Sequence, residues 1–486
     1  MIDAHSARVR WIVASLALLA FVRVAFFALS FPFFGHMDEI SHVDLVYRHA
    51  AGNPPSADDD AYVAETIEMF TFYSSAEWID LHGAEPPPLP AQFDLPDEMR
   101  RAALEQKLAE FGGKPNHEAL EAPPYYAVAG QWLNLARWLG LGKLDQLYFV
   151  RLLGAFMLAG GVVFAHLFAR RLVPDRSLLW LGLPTLVAVF PQDVFYFINN
   201  DVPSILFFSA ALWLAVRMRD RVSGIVESLV LGILVGLMFI AKAPNMTLMF
   251  AVLAIVGRPW QLDRKRVSAI LGFFVPTATW HVWLFRTSGH LTPSFHKCEV
   301  LGITPKHSIA AWFDHPIYTW DGFRWFWGRL IDHFWRGEIE WHGKVMSIGW
   351  IDTLLAWSTP ILCGVAILAT LRRRRDRLPD GTVLGTCIAI LVGFAIMVLI
   401  SVAFDFGPNM YPSREEPYLV TGRVHNGMIV LIGLLYLDGL DRVTRRFGRI
   451  APWVALAALA VTLLAYEVIV TIPVVRSPHN FWHLDV

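Results

Sequence analysis

Two adjacent carboxylates, Asp38 and Glu39, are followed closely by His42 in the run Gly35-His36-Met37-Asp38-Glu39-Ile40-Ser41-His42. If a helix begins at the acidic pair, the histidine four residues after Asp38 shares its face. A carboxylate and an imidazole so placed could take a proton from a hydroxyl group and orient the group that loses it. A plainer role is equally open: Asp38 N-caps the helix and Glu39 sits in its first turn, favoured there by the helix dipole. The two roles are compatible. Both residues are also oxygen donors of the kind that Mg2+ or Mn2+ takes, which leaves metal dependence open.

Further polar residues stand at the ends of apolar runs. Glu121-Ala122-Pro123-Pro124-Tyr125-Tyr126 opens an amphipathic stretch that reaches Trp138, with the diproline fixing an abrupt helix start and presenting two phenols, Tyr125 and Tyr126. Asn199-Asn200-Asp201 joins two apolar runs, as Asx-rich turns do. Arg151, Lys242 and Arg423 stand where a cation needs a carboxylate, an anionic ligand or a headgroup to reach. Asp58-Asp59-Asp60 could hold a cation but reads first as a solvated acidic turn, and the proline-rich Glu85-Pro86-Pro87-Pro88 as another turn.

The elements that must position these residues are membrane helices. The chain is 17% charged and 55% hydrophobic, whereas a soluble domain is about a quarter charged. Its 41 basic and 42 acidic residues nearly cancel, which gives no electrostatic case for nucleic acid as a partner. Cys363 and Cys387 lie in apolar runs and Cys298 in a polar one, so no disulfide framework is expected. Apolar runs fall near 11–33, 147–169, 177–198, 202–216, 222–241, 243–257, 267–286, 351–371, 384–404, 424–440 and 452–473, predicting an all-α polytopic protein of about eleven transmembrane helices. The run at 243–257 is the shortest of the eleven. The first is too long for the core of a signal peptide and lacks a small-residue cleavage site after it, so it reads as an uncleaved span.

Alternation from a cytoplasmic N-terminus places the clusters at Arg170, Arg171 and Arg176; Arg217, Arg219 and Arg221; Arg258, Arg264, Lys265 and Arg266; Arg372 to Arg375 and Arg377; and Arg442, Arg445, Arg446 and Arg449 all on the inside. The chain then divides into a first span (1–33), a long external loop with interfacial helices at 40–51 and 97–111 (34–146), spans two to seven (147–286), an external loop rich in aromatics and histidine (287–350), spans eight to eleven (351–473) and an external tail (474–486). The density of Trp and Phe between Trp312 and Trp341 suits a helix anchored at the headgroup level, ahead of the alternative of a sugar-stacking wall. No internal repeat with a period of tens of residues is present.

The order of these pieces resembles that of the GT-C glycosyltransferases, and is most similar to an uncharacterised bacterial membrane family within that superfamily. The pieces are Asp38-Glu39-Ile40-Ser41-His42 after the first span, Pro123-Pro124-Tyr125-Tyr126, Arg151-Leu152-Leu153, Asn200-Asp201, Lys242-Ala243-Pro244 and Gly422-Arg423. The family pattern has prolines before the acidic pair, where this chain has His36 and Met37, and Arg-Tyr where it has Arg423-Val424. The resemblance implies a GT-C-like bundle in the bacterial cytoplasmic membrane with its site facing outward. It also implies a polyprenyl-phosphate-linked sugar as donor and a glycan, lipid or protein as acceptor. On that expectation Asp38 is the base of an inverting transfer, with Glu39 and His42 as its helpers. Arg151, Lys242 and Arg423 meet the donor phosphate, while Tyr125, Tyr126, Asn200 and Asp201 contact the acceptor or sugar.

Two rival classes remain. A transporter or flippase would use polar groups within spans, for which Glu227 and His281 are the candidates. A ligase of the O-antigen type would use the late external loop, with His290, His296, His307, His315, His333, Arg336 and His342.

Overall fold

A computed structural model describes residues 2–35, 38–78, 95–257, 261–372, 377–407, 409 and 411–482. The expected turn at Glu85–Pro88, and Arg258 and Arg373 to Arg375 of the basic clusters, lie outside these residues, as do His36 and Met37. The apolar runs fold as helices because each stretch must satisfy its backbone internally in a solvent that offers no hydrogen bonds. The chain opens with α1 (Ile2–Ser30). The first long connection holds α2 (Glu39–Ala50), α3 (Ala64–Tyr73), α4 (Asp97–Phe111) and α5 (Pro124–Trp138). Then come α6 (Lys143–Leu172), α7 (Ser177–Ala188), α8 (Ser204–Arg219), α9 (Ile225–Ala241), α10 (Met246–Val256) and α11 (Arg264–Ser288). The second connection contains α12 (Ser294–Leu301) and α13 (Trp320–Arg336), and α14 (Gly349–Leu371), α15 (Asp380–Ala403), α16 (Ile429–Thr444) and α17 (Ala451–Val475) complete the bundle. Among the described residues strand structure is limited to two short antiparallel pairs, one of which ties Thr304–Pro305 to Phe404–Asp405.

A helix lies over each of the eleven runs, and six of these helices are long and apolar enough to cross a membrane: α1, α6, α11, α14, α15 and α17. The others are shorter. The run at 177–198 is helical only to Ala188. Pro191 lacks an amide hydrogen and restricts the residue before it, so the α-helix ends, and a segment with one 3-10 turn at Asp193–Tyr196 continues to Ile198. Similarly, Lys242-Ala243-Pro244 breaks the path between α9 and α10 with a single 3-10 turn. Apolar side chains spaced seven apart remain exposed on the outer helices, Leu384 and Leu391 on α15 and Val454, Val461 and Val468 on α17; such stripes suit lipid rather than water.

Ion pairs mark two ends of the bundle. At one end Arg151 meets Glu39, Lys242 meets Asp201 and Arg423 meets Glu338. At the other Arg171 meets Asp220, Arg176 meets Asp441 and Arg217 meets Glu227. The helices α6, α8, α9 and α16 therefore each run from one of these ends to the other. The tail returns to the first of them, where the Phe481 amide donates to the Leu29 carbonyl and Trp482 Nε1 to Ser30 Oγ. Both long connections gather at that end. There α13 lays Phe326, Leu330, Phe334 and Trp335 inward and leaves Trp320 exposed, an amphipathic arrangement.

Candidate active site

The acidic pair separates as the chain leaves α1. Glu39 turns into the protein, fully buried, where its two oxygens accept from Arg151 Nε at 2.8 Å and Nη2 at 2.7 Å, and from the amides of Phe34 and Ile198, each at 3.0 Å. Arg151 spends its remaining donors on the carbonyls of Ala28, Phe31 and Pro32. No donor or acceptor of this pair is left for a substrate. Its place is structural: it clamps the end of α1, the start of α2 and the segment before Asn199 onto α6. The expectation that Arg151 meets a donor phosphate, and that Glu39 holds the acceptor or a metal, thus gives way to a framework role.

A single substitution in a buried pair leaves its partner charged and uncompensated, which costs about 3–5 kcal/mol. Glu39→Leu or Arg151→Leu is expected to destabilise the protein by that amount, read from the midpoint of denaturant unfolding in detergent. Unchanged midpoints in both variants would contradict the framework role.

Asp38 takes the opposite course. It occupies the N-cap position of α2 with φ of 52°, in the left-handed region, and its side chain makes no capping bond. The carbonyl alone receives the first amides, those of Ser41 and His42. The capping expectation therefore holds for the backbone and not for the carboxylate. That group is 43% exposed and lies with Oδ1 3.6 Å from His117 Nε2. Burial of its surroundings opposes ionisation, but the bond to His117 and the charge of Lys297 outweigh this and hold the carboxyl well below its ordinary range.

His117 belongs to a short turn, Asn116 to Glu121, pinned by Asn116, whose amide donates to the Ser41 carbonyl and to Asp44 Oδ2. Glu118, next in the turn, is buried and paired with Lys297 of α12. Burial works against its ionisation, but the charge of Lys297 first, and then His117 and Lys242, hold it well below the ordinary range. Glu121 is the contrasting carboxyl: burial first, and then the negative Glu118 beside it, push it up to about 8. Asn200 Nδ2 donates to it at 3.3 Å. His42 is likewise pushed down to about 4, by burial and by the charges of Lys242 and Lys297, and is neutral at neutral pH. Its Nδ1 shares a 2.7 Å hydrogen bond with the Tyr126 hydroxyl.

The third part of the site comes from late in the chain. Gly422 packs so closely on α13 that a Cβ there would lie 2.3 Å from the Phe334 amide nitrogen, and this contact delivers Arg423. Arg423 Nη1 donates to Glu338 Oε2 at 2.8 Å. Burial disfavours its charge, whereas Glu338, Asp201, Asp38 and Asp193 offset that cost. Asp38 and Arg423 thus stand within each other's field at one end of the bundle. Asp201 bridges the two halves, with its carboxylate on Lys242 Nζ at 2.9 Å and its carbonyl accepting from Asn426 Nδ2 at 3.0 Å.

Several buried polar atoms here have no protein partner among the described residues: Glu118 Oε2, Asn200 Oδ1, Asp201 Oδ1, Arg423 Nε and both ring nitrogens of His425. An orphaned buried donor or acceptor costs about 1–3 kcal/mol, so a group of them in one place points to bound water or ligand. Three donors could hold a divalent cation. Single ligand atoms of Asp38, His117 and Glu118 lie within 4.8 Å of one another, a mixed oxygen and imidazole set.

Of the residues expected from sequence, Asp38, His42, Lys242, Asn200, Asp201 and Arg423 are brought together. Tyr125 and Tyr126 are buried behind them rather than displayed. His117, Glu118, Lys297 and Glu338 were not expected. The nearest sequence signal is that His117 and Glu118 stand just before the diproline motif; Lys297 adjoins Cys298, in a helix without a marked pattern. Of the residues proposed for other classes, two border this site, with His296 Nε2 3.2 Å from the Asn116 carbonyl oxygen and His333 Nδ1 3.5 Å from Glu338 Oε1, and others lie apart from it. Glu227 pairs with Arg217 at 2.6 Å at the opposite end, and His281 bonds the Leu291 carbonyl. Of the late-loop residues, His315 bonds the Pro417 carbonyl, His333 the Val420 carbonyl, and Arg336 lies beside Asp352. Of the acidic triplet, Asp59 is held by Arg48 through two 3.1 Å bonds.

Among solved structures, the fold is similar to that of the Archaeoglobus fulgidus oligosaccharyltransferase in complex with Zn and sulfate, with 12% sequence identity and a TM-score of 0.41. The alignment covers 93% of this chain and 53% of that one, so this chain spans about half of its length. No curated protein matches the sequence. A family profile described as predicted membrane protein (DUF2142) matches residues 19–409, and the chain belongs to this family.

Proposed function

We propose that the protein transfers a sugar from a polyprenyl-phosphate-linked donor to a glycan, lipid or protein acceptor at the outer face of the bacterial cytoplasmic membrane. The observation that carries this reading is Asp38: an ionised, accessible carboxylate, released from capping, within the field of a buried arginine whose Nε lacks a partner. The arginine clusters at the far end of the bundle support a cytoplasmic placement of that end, which leaves Asp38 outside. Nucleotide sugars are absent there, so the leaving group must arrive through the bilayer on a lipid phosphate.

In the proposed step the acceptor oxygen attacks the anomeric carbon from the face opposite the phosphate. The acceptor proton passes to Asp38, the new carbon–oxygen bond forms, and the bond to the phosphate oxygen breaks with its electron pair, which inverts configuration. Arg423 and Lys242 meet the departing charge. Each would share its bond to Glu338 or Asp201 with the phosphate. His42, locked on Tyr126, lines the path behind Asp38, and Asn200 and Asp201 form the wall nearest the acceptor. The donor set of Asp38, His117 and Glu118, two carboxylates and an imidazole, could hold a divalent cation, which would add positive charge beside the phosphate. Lys297 supplies charge at that place from the chain itself.

The test is transfer by the purified chain in proteoliposomes carrying a polyprenyl-phosphate sugar, with release of polyprenyl phosphate and the anomeric configuration of the product as readouts. Release with inversion supports the reading. Retention would exclude a single displacement, and solute movement without release would favour a transporter.

Glu121 sets a pH limit. Protonated, it is neutral beside Glu118; ionised, it adds negative charge where the donor phosphate must sit. Its stabilising contribution is fully present below the ordinary 4.5 and is lost as pH rises through about 8. Transfer is therefore expected to fall above about pH 8, and Glu121→Gln, neutral at every pH, is expected to remove that limb of the profile. A limb that persists in the variant would assign it elsewhere.

A further inference from the structure

At the end of the bundle opposite Asp38, the ends of α8 and α10 and the starts of α11 and α15 enclose a cavity of about 370 Å³. Arg219, Arg221 and Arg266 line it together with Gln261 and Thr382. We infer that this cavity is a binding site for a phosphoester anion, separate from the transfer site and independent of the function proposed for it.

Three observations carry the inference. The first is charge. Arg266 is held in place by Asp263 Oδ2 at 2.6 Å and by the Gly257 carbonyl, and Arg219 by Asp220. Arg221 has no carboxylate partner among the described residues, and its carbonyl receives Lys265 Nζ, which brings a further cation to the same turn. Arg221 adopts φ of 61°, a left-handed conformation that an arginine takes at a cost. The second is an orphan. Thr382 is 1% exposed, lines the cavity and has a hydroxyl with no partner. A buried hydroxyl among guanidinium groups is a donor waiting for an acceptor. The third is the backbone. Thr382 lies in the first turn of α15, a helix of 24 residues whose N-terminal amides carry partial positive charge toward the cavity. Planar guanidinium donors, a hydroxyl and a helix start together match the oxygens of a phosphate.

Two sources carry that chemistry at a membrane surface: the phosphodiester headgroup of an anionic lipid, and a water-soluble phosphate ester. The experiment uses the full chain, delipidated in detergent, and follows thermal unfolding together with native mass spectrometry. One arm adds cardiolipin or phosphatidylglycerol in mixed micelles, with phosphatidylcholine as the neutral comparison; the other adds inorganic phosphate or ATP. Saturable stabilisation in the lipid arm alone assigns a headgroup, and stabilisation in the second arm a soluble ester; either supports the site. Arg221→Gln removes an exposed side chain without a carboxylate partner, and Thr382→Val keeps the shape while deleting the hydroxyl, so both are expected to fold. Loss of one charge-assisted bond lowers affinity by roughly tenfold or more, and Arg221→Gln is expected to do so, with a smaller loss in Thr382→Val. The inference is overturned if no probe gives a saturable shift, if phosphatidylcholine acts equally, or if both variants bind as the unaltered chain does.

Discussion

Asp38→Asn is expected to lower transfer by about 10² to 10⁴, the contribution of a positioned general base, while leaving the protein folded. The choice of asparagine matters. Asp38 sits at φ of 52°, and asparagine is among the few residues that tolerate the left-handed region, whereas alanine would strain the turn. Since the Asp38 side chain makes no capping bond, its charge can be removed without loosening α2. The donor should still bind, so the deficit is expected in kcat rather than in KM. Wild-type turnover by Asp38→Asn, with an unchanged unfolding midpoint, would remove the base from the mechanism.

Arg423→Gln carries the second large effect, a fall of about 10² to 10³ in kcat, as expected when one preorganised donor to a developing negative charge is lost. Here stability changes too. Glu338 is part-buried, with its side chain 11% exposed, and accepts from Arg423, so the substitution leaves that carboxylate short of its main cation. Arg423→Lys separates the two effects: it keeps a charge for Glu338 but cannot present the planar fork, Nε included, to a phosphate. Recovery of the unfolding midpoint without recovery of kcat is the expected pattern in lysine. Full recovery of both would reduce Arg423 to a point charge.

The helices were legible because their cause is local. Apolar runs of a given length fold as helices in lipid whatever lies elsewhere in the chain, and α4 spans Asp97–Phe111 as its spacing predicts. The break after Ala188 was written in Pro191, although apolar composition on both sides masked it. The site is different in kind. Glu39 and Arg151 are separated by 112 positions, and nothing in the acidic pair distinguishes the carboxylate that turns inward from the one that stays open. Their fates follow from the left-handed turn at Asp38 and from the amides of Phe34 and Ile198, which tertiary packing supplies. His117 carries no periodic signal because its turn, though buried, is too short to show one, and Lys297 carries none because α12 buries none of its residues. Lys242 and Arg423 could be read from position alone, since a cation at the end of an apolar run needs a partner, and both have one.

The account turns on Asp38 and Arg423 serving one lipid phosphate-linked sugar. A cryo-EM map of the chain in nanodiscs containing a polyprenyl-phosphate sugar tests this most directly. The expected result is phosphate density within ion-pair distance of Arg423, and the anomeric carbon facing the side on which Asp38 opens. Phosphate density remote from Arg423, or lipid lying between that residue and Asp38, would contradict the account.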